Sequence, residues 1–368
     1  MKRRKTREVS IGGVRIGGNA PVAIQSMAKT ETRNTVSTIK EIKRLKKAGC
    51  EIVRVAVKNN ADLYALGKLK KSIKMPLIAD IHFDYNLALG AIDQGVDAIR
   101  LNPGNIYKKR DVGEIIKRAK KKRIPIRIGV NSGSLKNYRS RTSLNEGSPT
   151  SIGDLMVKSA IGYIKHFEDA GFHDIIVSLK SSNVLSTIYA YKKMAGLCDY
   201  PFHLGVTASG VKEDGIIKSA IGIGTLLSEG IGDTIRVSLT ADPVLEVEAA
   251  RSILQSLSLR NFGPEVISCP TCGRCQVDIE KVVKKLKSKL RDIRYTTYDI
   301  RNRPISIAVM GCEVNGPGEA READIGVAAG RNSGALFKKG KIVKKVREED
   351  FVKEILLSLR GAKRRSNL

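Results

Sequence analysis

The sequence predicts an α/β protein built from an N-terminal TIM (β/α)8 barrel over residues 1–258 and a smaller α+β domain over residues 259–368. Three observations carry this expectation. Eight short β-type runs recur between Val22 and Leu239, each followed by a stretch of helical period, which is the count and length of such a barrel. After Leu257 the composition shifts through Ser258-Leu259-Arg260-Asn261-Phe262-Gly263-Pro264, a polar connection ending in Gly-Pro. Four of the six cysteines lie beyond that connection. An open doubly wound sheet is the runner-up architecture.

In chain order, Val9 to Gly18 alternates apolar with small or polar residues around Gly12-Gly13, a hairpin signal, and such a hairpin could plug the base of a barrel. The strand runs are Val22–Gln25, Ile52–Val57, Leu77–Asp80, Ala98–Asn102, Ile126–Val130, Ile175–Leu179, Phe202–Val206 and Thr234–Leu239. Helical stretches such as Thr35–Ala48, Asn86–Gln94, Asp111–Lys122, Ser151–Ala170 and Pro243–Leu257 follow them, several opening on Ser, Thr, Asp or Pro. The second domain reads as a strand near Val266, a helix Asp278–Leu290, strands Ile305–Val309 and Ile325–Val327, and a helix Glu348–Leu359. The basic tail Gly361–Leu368 is expected to be disordered.

Composition excludes several classes. No apolar run approaches the about 20 residues of a membrane span, and the basic start leads into Gly-rich sequence, so a cytoplasmic protein is expected, with no membrane partner. The formal charge of +29 invites a nucleic-acid reading. Much of the excess, however, sits at helical spacing (Lys40, Lys43, Lys46 and Lys47, or Lys281, Lys284, Lys285 and Lys287), and no nucleic-acid motif accompanies it. The charge suits anionic metabolites and an acidic electron carrier instead.

Side-chain alternation gives the barrel a chemistry. It turns Thr234, Arg236 and Ser238 inward, together with Arg54 and Ala56, Arg100 and Asn102, Arg127, Gly129 and Asn131, and Ser178 and Lys180. Five cations then converge near one mouth, and unpaired charge there costs several kcal/mol per group. Apart from Asp80, internal acids are too few to match them. A bound diphosphate would. Any one arginine could instead pair with a helix acid or reach solvent, but five at one end of successive strands make that a poor joint explanation. His82, beside Asp80 at a strand end, is a further site candidate.

The second domain opens on Ser268-Cys269-Pro270-Thr271-Cys272-Gly273-Arg274-Cys275, and its partner stretch is Gly311-Cys312-Glu313-Val314-Asn315-Gly316-Pro317-Gly318-Glu319. A Cys-x-x-Cys turn presents two thiolates to one soft-metal site, which a distant third closes after folding. Zinc and an iron–sulfur cluster both fit. The lone Cys312 in a Gly-rich loop favours the cluster, held either with Glu319 or by a ferredoxin-like run that includes Cys275. Cys50 and Cys198 read as small hydrophobes.

These residues, with Val309-Met310 before them and Ala320 after, resemble the cluster region of the bacterial 4-hydroxy-3-methylbut-2-enyl diphosphate synthase family, and the similarity runs through nearly the whole chain. The resemblance implies a 4Fe-4S cluster on Cys269, Cys272, Cys312 and Glu319, one per chain, with Cys275 outside the ligand set. It implies diphosphate ligands at Arg54, Arg100, Arg127, Lys180 and Arg236, with Asn131 and Ser238 nearby; Asp80-Ile81-His82 and Leu101-Asn102-Pro103-Gly104-Asn105 also stand as in the family. The implied reaction is a two-electron reductive opening of 2-C-methyl-D-erythritol 2,4-cyclodiphosphate, with flavodoxin or ferredoxin as donor. One departure stands out. Where the family has Thr-Glu-Ala-Gly or Thr-Glu-Ser-Gly, this chain has Thr207-Ala208-Ser209-Gly210, which leaves Glu213, Asp214, Asp80, His82 or water to deliver a proton. The competing expectation is a zinc-stabilised basic barrel protein binding phosphate-rich ligands or nucleic acid.

Barrel strands run toward the mouth and helices run back, so the last helix should end at the base, opposite the cations. A connection of about ten residues spans at most about 35 Å, barely the height of a barrel. The expectation is a head-to-tail homodimer in which each second domain closes over the partner's barrel, an arrangement the resemblance also implies.

Overall fold

The computed structural model describes residues 2–135, 149–292 and 304–363. The chain divides into two compact units, Met1–Arg260 and Asn261–Leu368.

The first unit opens with an antiparallel hairpin, β1 (Glu8–Ile11) and β2 (Val14–Gly17), whose Gly12 and Gly13 take the positive φ that a two-residue turn requires. Eight parallel strands follow: β3 (Ala23–Met27), β4 (Ile52–Val57), β5 (Leu77–Ile81), β6 (Ala98–Leu101), β7 (Ile126–Asn131), β8 (Ile175–Lys180), β9 (His203–Leu204) and β10 (Thr234–Ile235). They alternate with α1 (Thr35–Ala48), α2 (Asn60–Ser72), α3 (Tyr85–Asp93), α4 (Lys109–Lys122), α5 (Pro149–Asp169), α6 (Val184–Ala195), α7 (Lys212–Ser228) and α8 (Pro243–Ser256). The sheet order β8-β7-β6-β5-β4-β3-β10-β9 is closed by a parallel bridge between Val177 and Phe202. This is the TIM barrel that the repeat predicts.

Helix starts follow local chemistry. Asn34, Asn59, Asp84, Asn183 and Asp242 each accept a hydrogen bond from a backbone N–H of the first turn of α1, α2, α3, α6 and α8 respectively. Lys40, Lys43, Lys46 and Lys47 of α1 are exposed, as expected for a solvated face.

Alternation holds inside the barrel. Val9, Ile11 and Ile16 of the hairpin pack on Ala23, Ile52, Ile78, Ala98 and Ile176, the inward residues at the strand starts. The hairpin therefore plugs the base, and residues two positions further along, including Gln25, Arg54, Asp80 and Arg100, form the next layer. The unit also ends at the base: Arg260 donates to the Val22 carbonyl (2.8 Å) and the Glu51 carboxylate (3.2 Å), both of which precede strands.

β9 and β10 are shorter than the runs Phe202–Val206 and Thr234–Leu239 predict. At the end of the second run the Leu239 N–H donates to the Glu246 carboxylate at 3.0 Å and the Thr240 N–H to the Gly210 carbonyl, so the chain has left the ladder there, with Val237 and Leu239 still buried.

The second unit is a five-stranded sheet, β11 (Glu265–Ser268), β12 (Ser306–Met310), β13 (Ile325–Gly330), β14 (Ser333–Lys338) and β15 (Lys341–Arg347), in that spatial order. The first three are parallel and the last two antiparallel. Helices α9 (Ile279–Asp292) and α11 (Phe351–Lys363) supply Leu286, Phe351 and Ile355 to a core with Ile307, Val309 and Val327. Short α10 (Gly316–Glu322) packs Ala320 against Ala308, Met310 and Ala328. The hairpin β14–β15 was not legible because β15 is exposed at five consecutive positions and shows no alternation. The tail expected to be disordered from Gly361 instead continues α11 to Lys363; residues 364–368 lie outside the described residues.

Candidate active site and cluster-binding loops

The barrel brings the predicted cations together. Arg54, Arg100, Arg127 and Lys180 are each less than a tenth exposed, and Arg236 is half-buried just beyond β10. Their counter-ions differ, and that difference defines the site. Asp80 lies 3.5 Å from Arg54 and 3.2 Å from Arg100. Burial would raise the Asp80 pKa, but Arg54, Arg100, Arg127 and His82 outweigh it and lower it to about 2. Asp80 is thus held toward its anionic form as the shared counter-ion of Arg54 and Arg100.

Arg236 stands 3.7 Å from Glu246, which also pairs with Lys29 at 3.0 Å. Sequence reasoning missed this buried acid, reaching in from the first turn of α8; its position on the same helical face as Ala249, Ala250 and Ile253 was the available signal. The expectation that Asp80 is the sole internal acid is corrected accordingly.

Arg127 and Lys180 have no carboxylate within ion-pair distance among the described residues. Burial, and then repulsion from neighbouring cations, lowers both pKa values well below normal. Arg127 donates Nη1 to the Gln25 carbonyl oxygen at 2.7 Å, while its Nε and Nη2 are buried without partners. Burial also lowers the pKa of Arg54, to about 10. Two glycines make room: a Cβ on Gly129 would collide with Arg100, and one on Gly205 with the Lys180 ammonium.

The remaining candidates are spread around this cluster. Asn102 bonds Ser134 (2.9 Å) and the Gly104 N–H (3.0 Å), shaping the loop after β6. Asn131 ends β7, paired in register with Lys180. Ser238 offers its carbonyl to the Ser209 hydroxyl. His82 follows β5, with Nδ1 buried and unpartnered. Ala208 holds a left-handed φ of 48°, while Glu213 and Asp214 are exposed on the first turn of α7. Sequence reasoning also missed His203, fully buried, with Nε2 unpartnered and its pKa held far below normal by burial and then by Lys180.

In the second unit the thiols gather at the C-terminal ends of adjacent parallel strands. Cys269 follows β11 and Cys312 follows β12; the Gly311 N–H donates to the Cys269 sulfur at 3.3 Å. Thr271 takes φ 58° in the Cys269–Cys272 turn, uncommon for a β-branched residue. Backbone N–H groups of Asn315, Val314 and Gly316, at the start of α10, lower the Cys312 pKa and favour its thiolate. Glu319 lies exposed in the first turn of α10. Among the described residues no three His, Cys, Asp or Glu side chains enclose a single ion. A multi-iron cluster needs its ligands further apart than one ion does. The loops carry the soft donors such a cluster takes: the Gly311 N–H beside Cys312 bonds the Cys269 sulfur, and the Cys275 sulfur also lies against Gly311. Cys50, by contrast, is a buried thiol whose pKa burial raises to about 12.

Comparison with known proteins joins these two sites in one family. The GcpE TIM-barrel domain matches residues 6–251, and the GcpE protein C-terminal domain matches residues 265–360. The chain belongs to the GcpE family. Within it, the 4-hydroxy-3-methylbut-2-en-1-yl diphosphate synthase (flavodoxin) of Thermodesulfovibrio yellowstonii is 53% identical over 362 residues, covering 98% of this chain and 99% of that protein. The synthase of the same name from Caldanaerobacter subterraneus subsp. tengcongensis is 50% identical over 96% of each chain. GcpE proteins are iron–sulfur oxidoreductases of isoprenoid biosynthesis, and the zinc-stabilised binding-protein alternative has no support. A dihydropteroate synthase from Coxiella burnetii shares the barrel fold alone, with a TM-score of 0.50 at 13% identity, over 68% of this chain and 99% of that one. No described helix of this GcpE chain is long and apolar enough to cross a membrane.

Proposed function

We propose that this chain is a cytoplasmic enzyme that reduces 2-C-methyl-D-erythritol 2,4-cyclodiphosphate by two electrons, opening the ring and releasing water to give 4-hydroxy-3-methylbut-2-enyl diphosphate, with flavodoxin as donor. The observation that carries the reading is the surplus of buried cations, with Arg127 and Lys180 lacking a carboxylate among the described residues. A diphosphate supplies the missing charge. Asp80 and Glu246 hold Arg54, Arg100 and Arg236 in place before substrate arrives, so little reorganisation is needed on binding. Asn102, Asn131 and Ser238 line the rim of this site. With position 208 occupied by alanine, Asp80, His82 or water would move a proton near the strand ends.

Cys269, Cys272, Cys312 and Glu319 would hold one 4Fe-4S cluster. When bound, it supplies electrons singly and an iron that acts as Lewis acid. Glu319, a harder and more labile ligand than thiolate, is suited to yield its position to a substrate oxygen. Anaerobically purified chain should be brown, carry about four irons and sulfides, and turn over the cyclic diphosphate with a chemical reductant. Stoichiometric zinc without sulfide would overturn this.

The barrel unit ends at its base, while the cations face the other way, so the eight-residue connection 257–264 favours a partner's barrel mouth over its own. We place the active site between two chains of a head-to-tail homodimer. Mixing inactive Arg100→Ala chains with inactive Cys312→Ser chains should restore activity, since one site of each mixed dimer is intact. Mixed dimers that form but stay inactive would mean that cluster and barrel meet within one chain.

A further inference from the structure

Gln25 is the neutral member of the charged layer. It lies on β3, 2% exposed, and its carbonyl oxygen accepts from Arg127 Nη1 at 2.7 Å across 102 residues of sequence. No other hydrogen bond fixes that guanidinium among the described residues. Gln25 Nε2, Arg127 Nε and Nη2, and Arg236 Nε are all buried N–H donors without a partner. An orphaned buried donor costs about 1–3 kcal/mol, so four in one layer of the barrel are retained against stability.

An acid would have been the ordinary solution at position 25. Asp80 and Glu246 anchor the neighbouring arginines with carboxylates and partly neutralise them. An amide orients Arg127 equally well, because one carbonyl lone pair suffices, yet leaves the full positive charge for another ligand. Its second function differs too: the NH2 group donates where a carboxylate could only accept.

We propose that Gln25 is a positioning residue and anion ligand of the diphosphate site: its carbonyl fixes Arg127 without neutralising it, and its amide N–H group donates to the bound diphosphate. The inference rests on the diphosphate reading above and adds a residue that reading does not include. In chemical terms, position 25 sets the charge of the site.

The test uses the full chain, with inorganic pyrophosphate binding followed by calorimetry and KM and kcat for the cyclic diphosphate measured in parallel. Gln25→Glu keeps the shape, adds a negative charge beside Arg127 and removes the donor. It is expected to weaken pyrophosphate binding and raise KM about a hundredfold, with iron content unchanged. Gln25→Met keeps only the volume and should weaken binding about tenfold. In an Arg127→Met background, Gln25→Glu should have a much smaller effect, which a merely structural role would not produce. Unsubstituted chain that fails to bind pyrophosphate, with Arg127→Met no weaker, defeats the diphosphate reading itself. Binding lost in Arg127→Met but retained in a folded Gln25→Glu chain overturns the role of Gln25 alone.

Discussion

Lys180→Met chains are expected to unfold at a higher temperature than unsubstituted chains and to lose at least about a hundredfold in kcat/KM, because the same buried charge that opposes folding holds the substrate. Lys180 is 7% exposed, has no carboxylate within ion-pair distance among the described residues, and is surrounded by Arg127, Arg54, Arg236 and Arg100. Methionine keeps its volume and removes the charge. A stability gain of about 1–3 kcal/mol is expected from replacing such a group by an apolar one. Folding lowers the pKa of Lys180, so the unfolded state binds more protons over the pH range below the ordinary lysine value. Stability of the free chain should therefore rise with pH across that range, and Lys180→Met should flatten the slope. Pyrophosphate should stabilise the unsubstituted chain far more than the variant. A less stable variant with unchanged kinetics would remove Lys180 from the site.

The cysteines should separate as sharply. Cys269→Ser, Cys272→Ser and Cys312→Ser are each expected to lose the cluster and essentially all turnover, since each leaves an iron without its soft ligand. Cys275→Ser should keep both: its sulfur is turned toward the Val277 carbonyl at 3.2 Å. Glu319→Ala should keep much of the cluster and lose rate. Iron and sulfide analysis with the visible spectrum reads all five variants. Cluster loss in Cys275→Ser with retention in Cys312→Ser would establish a ferredoxin-like run in place of the proposed ligand set.

The sequence by itself determined the eight repeats, the helix starts and the inward set of the barrel, because these depend on periods of 2 and 3.6 residues and on caps one to three residues away. Alternation alone turned Arg54, Arg100, Arg127 and Lys180 inward, and the Cys-x-x-Cys turn announced its chemistry by spacing. What it did not contain was the pairing. That Glu246 answers Arg236 and Lys29, that Asp80 answers Arg54 and Arg100, and that a neutral amide 102 residues away answers Arg127 depend on which strands become neighbours when the barrel closes. The end of the run after β10 has the same origin, a carboxylate from α8 taking the Leu239 N–H that local pattern assigns to the ladder. Electrostatic surplus is a sum over non-local contacts: the chain's local pattern fixed where each cation points, and only the closed barrel decided which of them were left for a ligand.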